Sequence, residues 1–198
     1  MKLRALLILC VGLLFLGACG NPATVEPTQP QAIDAAPAQA TDAPAPFALT
    51  STAFAYGEPI PVKYSCDGED ISPPLTWDPP PNGTKSQVLI MDDPDAPVGT
   101  WDHWVVFNIP ATTYGLEENF PITGINQVPD FISVAQNSWG RNDYGGPCPP
   151  GGTHRYFFKL YALDTTLHLD EKADKKQILS AMDGHFLAES ELMGTFSR

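Results

Sequence analysis

Two histidines and two nearby carboxylates are the side chains of this sequence best placed to do chemistry. Asp93 and Asp95 lie in the turn Asp92-Asp93-Pro94-Asp95-Ala96-Pro97, and His103 follows closely. His154 ends a second loop, which runs Gly145-Gly146-Pro147-Cys148-Pro149-Pro150-Gly151-Gly152-Thr153. Imidazole changes charge near neutral pH, so it can donate to an anion, ligate a metal or move a proton. Each histidine opens a β-type run, and polar groups at strand mouths backed by Pro- and Gly-fixed loops build rigid pockets. In the second loop Pro147, Pro149 and Pro150 carry no N–H. Its donors are therefore Gly146, Cys148, Gly151, Gly152 and Thr153. Successive N–H groups in such a glycine-rich turn can form an anion-binding nest. Taken singly, the acidic turn is an ordinary proline-fixed turn and each histidine an ordinary packed residue. Their combination marks a site.

The same residues define the competing chemistries. Two His and two Asp are an acceptable donor set for a metal-dependent hydrolase. No H-E-x-x-H is present, however, and no His pair at helical spacing. A serine hydrolase lacks its G-x-S-x-G elbow, and Cys148 sits between prolines, where a bridge to another cysteine explains it better than nucleophilic catalysis. Binding without turnover, and without a metal or cofactor, is therefore expected, with the His/Asp metal hydrolase as the alternative.

The elements that must hold these residues are mainly β. The runs FALTSTAF, PIPVKYSC, SQVLIMD, HWVVFNIP and RYFFKLYAL are short and rich in β-branched and aromatic residues, with Pro, Gly, Asn and Asp clusters between them. The run Tyr156 to Leu163 is apolar on both faces and predicts a strand covered on both sides. Trp101 and Trp104 are assigned to the core. Toward the C-terminus the period changes. Asp174 with Gln177 has the form of a capping box, Ile178, Leu179 and Met182 share a helical face, and Gly184 is placed to end the helix. A second short helix is expected over HFLAESELM, up to Gly194.

The N-terminus predicts export. Lys2 and Arg4 precede an apolar run ending in Leu16-Gly17-Ala18-Cys19. The run is shorter than the ~20 residues a spanning helix needs and has the flanks of a signal peptide. Its end looks like a bacterial lipobox, which implies cleavage of residues 1–18 and lipidation of Cys19. Several acyl chains at ~0.8 kcal/mol per buried CH2 would make that anchor effectively permanent. Residues 19–46 are rich in Pro, Ala, Gln and Thr, cannot bury enough surface to order themselves, and predict a semi-stiff disordered tether. One domain follows over residues 47–198. The formal charge of −12 becomes more negative still when Lys2 and Arg4 leave with the signal. Such a surface excludes general nucleic-acid binding and repels anionic lipid, so any bound anion needs a local site working against the global field. Once Cys10 and Cys19 are set aside, Cys66 and Cys148 are a candidate disulfide pair in an oxidising compartment, the alternative being two separate thiols.

Three motifs in order carry a family resemblance: CDGEDISPPLTW (Cys66 to Trp77), DDPDAP with the following HWVVFNIP, and YGGPCPPGGTHRYFFKLYALD (Tyr144 to Asp164). Together they resemble the phosphatidylethanolamine-binding (Raf kinase inhibitor-like) family in its bacterial branch, and the resemblance covers nearly all of the domain. It implies two antiparallel sheets in a Greek-key-like arrangement with short C-terminal helices. It also implies a pocket for phosphate-type anions or phospholipid headgroups. Carried onto this chain, the ligand-binding residues would be Asp93, Asp95, His103, Gly146, Pro147, His154 and Tyr156. Only Val98 to Asp102 separates the acidic turn from His103, shorter than in the animal branch, and the predicted anchor places the domain outside the cytoplasm of a bacterial cell envelope. Inhibition of a cytosolic kinase is therefore not carried over, although an extracytoplasmic protein partner stays open. A bare carboxylate about 4 Å from a phosphate charge would cost about 4 kcal/mol at an effective dielectric near 20. An aspartate in this pocket must therefore orient a histidine, accept from an ethanolamine ammonium, or be protonated. The first is favoured for at least one of the two.

Overall fold

In a computed structural model of the chain, residues 47–120, 132–170 and 172–198 are described. The expected signal segment 1–18, the expected acylation site Cys19 and the expected tether 19–46 lie outside the described residues. The strands are β1 (Leu49–Thr50), β2 (Leu75–Trp77), β3 (Ser86–Asp93), β4 (Trp101–Pro110), β5 (Gly115–Leu116), β6 (Ser133–Val134) and β7 (Thr153–Leu163); helix α1 (Lys175–Met182) and strand β8 (Phe186–Ser197) follow. They form a three-stranded antiparallel sheet in the order β1-β2-β5 and a five-stranded antiparallel sheet in the order β6-β4-β3-β7-β8.

β3 is the strand covered on both faces, with all eight of its residues buried. One face carries Leu89 and Met91 into the core between the two sheets, together with Trp104, Val106, Phe158, Leu160, Leu49, Leu75 and Trp77. The other carries Val88 and Ile90 into a second core with Val105, Phe107, Leu163, Ile178 and Met182 beneath α1. β7 is also central but buries one side only. His154, Tyr156, Phe158 and Leu160 point inward, whereas Arg155 is exposed and Phe157, Lys159 and Tyr161 are half-exposed. The apolar character of its outer face had predicted cover on both sides. The cover is missing because α1 packs on β4 rather than on β7.

Other departures have local causes. PIPVKYSC forms a 3-10 turn at Val62–Tyr64, not a strand. Pro59 and Pro61 remove two ladder donors, and burying both Ile60 and Tyr64 while Val62 stays exposed fits a turn. FALTSTAF contributes only Leu49–Thr50 to a sheet. At the C-terminus, α1 forms with the expected reciprocal capping box between Asp174 and Gln177, and Gly184 takes a positive φ of 78° just beyond it. The segment expected to make a second helix is instead β8, paired with β7 along its whole length. Its inward residues are Leu192, Gly194 and Phe196, a period of two. Ladder pairing with a fixed neighbour thus overrides the helical preference of Leu, Ala, Glu and Met. Cys66 and Cys148 are bridged, with Cα atoms 5.5 Å apart.

Adjacent to the α1 core, Asp92 is buried and accepts from Lys159 Nζ at 3.0 and 3.1 Å and from Lys175 Nζ at 3.0 Å. Lys175 also bonds Asp102. Burial works against the Lys175 ammonium, but the Asp102 hydrogen bond and the Asp92 charge outweigh it and hold its pKa above the ordinary value. Removing one member of a buried ion pair leaves the other charge uncompensated, at about 3–5 kcal/mol. Replacing Asp92→Asn should therefore lower the unfolding free energy by about 3 kcal/mol, at the low end because Lys159 is partly exposed. Urea denaturation of the variant against the parent measures this.

Candidate functional site

Neighbouring residues of β3 point to opposite faces of the sheet, so Asp92 faces α1 while Asp93 faces the loop that precedes β7. Asp93 Oδ2 accepts from His154 Nδ1 at 2.7 Å, and Asp93 Oδ1 accepts from Asp95 N at 2.8 Å. His103 reaches the same place through a break in register. Met91 pairs with Trp104 but Asp92 pairs with Asp102, so His103 is the extra residue of a bulge in β4. A bulge re-aims a side chain, and here it brings His103 over Tyr156 of β7, with ring centroids 5.2 Å apart.

The site is a cleft of about 240 Å3 lined by Asp93, His103 and His154, by Trp101 and Trp139, and by Pro97, Val98 and Cys148–Pro150. His103 Nδ1–H donates to the Gly145 carbonyl at 2.7 Å. A carbonyl can only accept, which fixes the tautomer and leaves Nε2 as the ring nitrogen open to a ligand. Burial pushes the His103 pKa below its usual value despite the Gly145 hydrogen bond and the Asp93 charge, so at neutral pH this ring is an acceptor. His154 is held through Nδ1 by Asp93 in the same way, and its Nε2 is likewise left open. The Tyr156 hydroxyl is fully buried behind the cleft lining and makes no hydrogen bond of good geometry. Asp93 and the Cys148 backbone N–H lie within its reach, and burial followed by the Asp93 charge raises its pKa far above the ordinary value. It therefore stays protonated, facing the Asp93 carboxylate.

Three of the residues singled out from the sequence have commitments elsewhere. The Asp95 carboxylate takes a bidentate pair from Arg155, at 2.9 Å from Nε and 2.7 Å from Nη2, together with the Arg155 backbone N–H at 3.0 Å. Gly146 N–H donates to Asp70 Oδ1 at 2.6 Å, and the Pro147 carbonyl accepts from Cys66 N–H at 3.2 Å. Gly152 N–H is bonded to the Arg198 carbonyl at 3.0 Å. The expected nest has thus spent two of its donors inside the chain. Glycine at 146 is needed for a different reason: a Cβ there would lie 2.4 Å from the Tyr64 carbonyl oxygen, so only glycine lets the loop close onto the Cys66–Asp70 turn.

Trp139 is the wall that sequence reasoning missed. It stands edge-on to His103 at 5.1 Å and to Trp101 at 5.4 Å, and it lies so close to Gly145 that a Cβ there would meet its ring at 2.4 Å. The buried Asn137 builds its turn, accepting from Trp139 N and Arg141 N and donating to Asp143. Trp101, assigned to the core, is half-exposed in the cleft because β4 begins there, beyond the cover of the second sheet. Among the described residues no group of three or more His, Cys, Asp or Glu side chains is placed to hold a metal ion. The metal-hydrolase alternative therefore finds no ligand set there.

A sheet pair of this topology, with its cleft between an acidic strand end and a Pro/Gly loop, defines the phosphatidylethanolamine-binding protein class. The family model for phosphatidylethanolamine-binding protein matches residues 50–197, and the chain belongs to that family. It is 55% identical over 139 residues to a UPF0098 protein of Methanothermobacter thermautotrophicus, covering 70% of this chain and 91% of that one. A UPF0098 protein of Aquifex aeolicus is 49% identical over 153 residues, covering 75% and 86%. Among solved structures, a putative phosphatidylethanolamine-binding protein homologue from Chlamydia trachomatis is 44% identical with a TM-score of 0.70, covering 77% of this chain and 97% of its own. E. coli YbcL, described as a new member of the mammalian family, is 32% identical with a TM-score of 0.72, covering 77% and 98%.

The Asp95–Arg155 pair makes its own prediction. The Arg155 hydrogen bonds hold the Asp95 pKa down at about 2, so the pair's contribution to stability is present above the unfolded carboxylate value and is lost as pH falls toward 2. Carbon-detected NMR titration should find the Asp95 midpoint near 2 in the parent. In Arg155→Ala it should return toward the ordinary value of about 3.9.

Proposed function

We propose that the cleft binds a small phosphate-bearing ligand, a phospholipid headgroup or a free phosphate, without turning it over, and that the domain is held outside the cytoplasm of a bacterial envelope by lipid on Cys19. The observation that carries the binding reading is the buried Asp93–His154 pair in the wall of the cleft. Asp93 spends both oxygens on donors within the chain, so it orients His154 rather than confronting an anion bare. Tyr156, buried behind the cleft lining, backs the Asp93 carboxylate. A proton on His154 Nε2 supplies a donor and brings a positive charge, while neutral His103 accepts from a ligand hydroxyl or ammonium. The apolar and aromatic rim of Pro97, Val98, Trp101 and Trp139 suits the uncharged parts of a headgroup. Regulation of an extracytoplasmic protein partner is compatible with this arrangement and has no residue of its own to argue from.

Binding should accordingly draw a proton onto His154. Glycerophosphoethanolamine, whose phosphodiester keeps one charge between pH 5.5 and 8, should bind about tenfold more tightly at the lower pH, as expected for one linked proton. Titration calorimetry in two buffers of different ionisation enthalpy reads the affinity and the proton count together. His154→Gln should bind weakly at both pH values, and equal affinities for the parent protein would sink the imidazolium model. Running inorganic phosphate in parallel separates a headgroup site from a general phosphate site.

The anchor has a separate check. Expressed from its full sequence in a bacterium, the parent chain should sediment with membranes and carry a lipid mass increment on Cys19. Cys19→Ala should sediment with neither the increment nor the membrane fraction.

A further inference from the structure

We propose that the Cys66–Cys148 bridge is a thiol–disulfide exchange site, opened by a dithiol with Cys148 as the leaving thiolate, and that opening it weakens ligand binding. The second half rests on the reading of the cleft given above. Both cysteines are exposed, so a reductant can reach them. They differ in electrostatic setting. Arg198 Nη1 lies 3.5 Å from Cys148 Sγ, while Arg198 Nη2 is anchored on Asp67 at 2.9 Å. A guanidinium beside a sulfur favours its thiolate and makes it the better leaving group. The Asp67 carboxylate beside Cys66 is spent on that same guanidinium, so the difference between the two sulfurs rests on the Arg198 contact with Cys148. The bridge is thus polarised toward attack at Cys66.

The electron balance is that of ordinary exchange. A thiolate of the dithiol bonds to Cys66 Sγ as the Cys66–Cys148 bond breaks, and Cys148 leaves as a thiolate beside Arg198. The second thiol of the reductant then attacks the mixed disulfide, Cys66 leaves, and the dithiol departs as its cyclic disulfide. Two electrons pass from the dithiol to the bridge, and the protons given up by the dithiol are available to the two cysteines.

The consequence for the cleft follows from position. Cys148, Pro149 and Pro150 form one of its walls. Without the bridge, that wall is tied to the Cys66–Asp70 turn by Gly146 N–H on Asp70 and by Cys66 N–H on the Pro147 carbonyl. Those bonds lie before Cys148, and the next backbone ties are the two between Gly152 and Arg198, so Pro149–Gly151 would be held only at its two ends once the bridge opens. The two sheets and two cores hold the rest of the fold without passing through the bridge.

The test uses the full chain. Incubation with glutathione, acid quenching and peptide mass mapping should place the trapped adduct on Cys66. Reduction by dithiothreitol should be about fivefold slower in Arg198→Ala, as expected when a leaving thiol loses its stabilising cation. An adduct on Cys148, or unchanged kinetics in Arg198→Ala, would overturn the exchange assignment. Calorimetry with glycerophosphoethanolamine on oxidised and dithiothreitol-reduced protein should then show about a tenfold loss of affinity, the effect of a binding-competent loop only about one-tenth populated. Circular dichroism should show the fold retained. Equal affinities, or unfolding on reduction, would overturn the coupling. Failure of even the oxidised chain to bind would sink the cleft reading, and the exchange chemistry would still be decided by the adduct position and the kinetics.

Discussion

Two carboxylates stand side by side at the end of the most deeply buried strand of the protein, and both must be neutralised. Because strand residues alternate, Asp92 and Asp93 leave β3 on opposite faces of the sheet. Each therefore needs its own partners from elements that would not otherwise meet there. On the α1 face, Lys159 of β7 and Lys175 of α1 converge on Asp92, and Asp102 of β4 joins them. On the other face, His154 of β7 and the backbone of Asp95 satisfy Asp93. A single pair of adjacent residues thus ties β3, β4, β7 and α1 together, and the cleft is the side of that junction where the partner is a titratable imidazole rather than a lysine.

The second constraint is the convergence of three loops on the cleft. The Cys66–Asp70 turn holds the Gly145–Gly152 loop by the bridge and by the Gly146–Asp70 hydrogen bond. The Asn137-centred turn presses Trp139 against Gly145, and Ser138 is bonded in both directions to Asp102 of β4. The packing of Trp139 demands a missing Cβ at Gly145, and the approach to the Tyr64–Asp70 segment demands one at Gly146. The two glycines are therefore where the loops pack against one another, and their place in the site is that of a hinge pin between walls rather than of a ligand donor.

How much of this the residues announced depends on the range over which the cause acts. The capping box of α1 and the glycine that ends it are set within a few positions, and both are legible. So are the central strands, whose β-branched runs are long enough to show their type. The His/Asp cluster was legible as a combination of motifs. What was hidden needs a partner from far along the chain. β8 is helical by composition and a strand because β7 is beside it. His103 enters the cleft through a bulge that no residue type marks, and Asp95 turns out to belong to Arg155, sixty positions away. Trp139 had a weak local signal in the turn-forming Asn-Ser-Trp-Gly-Arg-Asn-Asp stretch, but nothing in that stretch says which way the indole faces.

The charge distribution closes the physical account. Around the cleft, Arg155 is committed to Asp95, Arg198 to Asp67, and Arg141 to Asp143 and the Trp139 ring. Lys159 and Lys175 are on the far face of the sheet with Asp92. An anion entering an acidic protein at this point meets no permanently charged side chain that is not already paired among these. On the proposed reading the compensating charge would be a proton, with His154, fixed through Nδ1 by Asp93, the ring placed to take it. Affinity at such a site would follow the charge on one imidazole rather than a resident cation, and the acidic surface would favour ligands that carry an ammonium of their own.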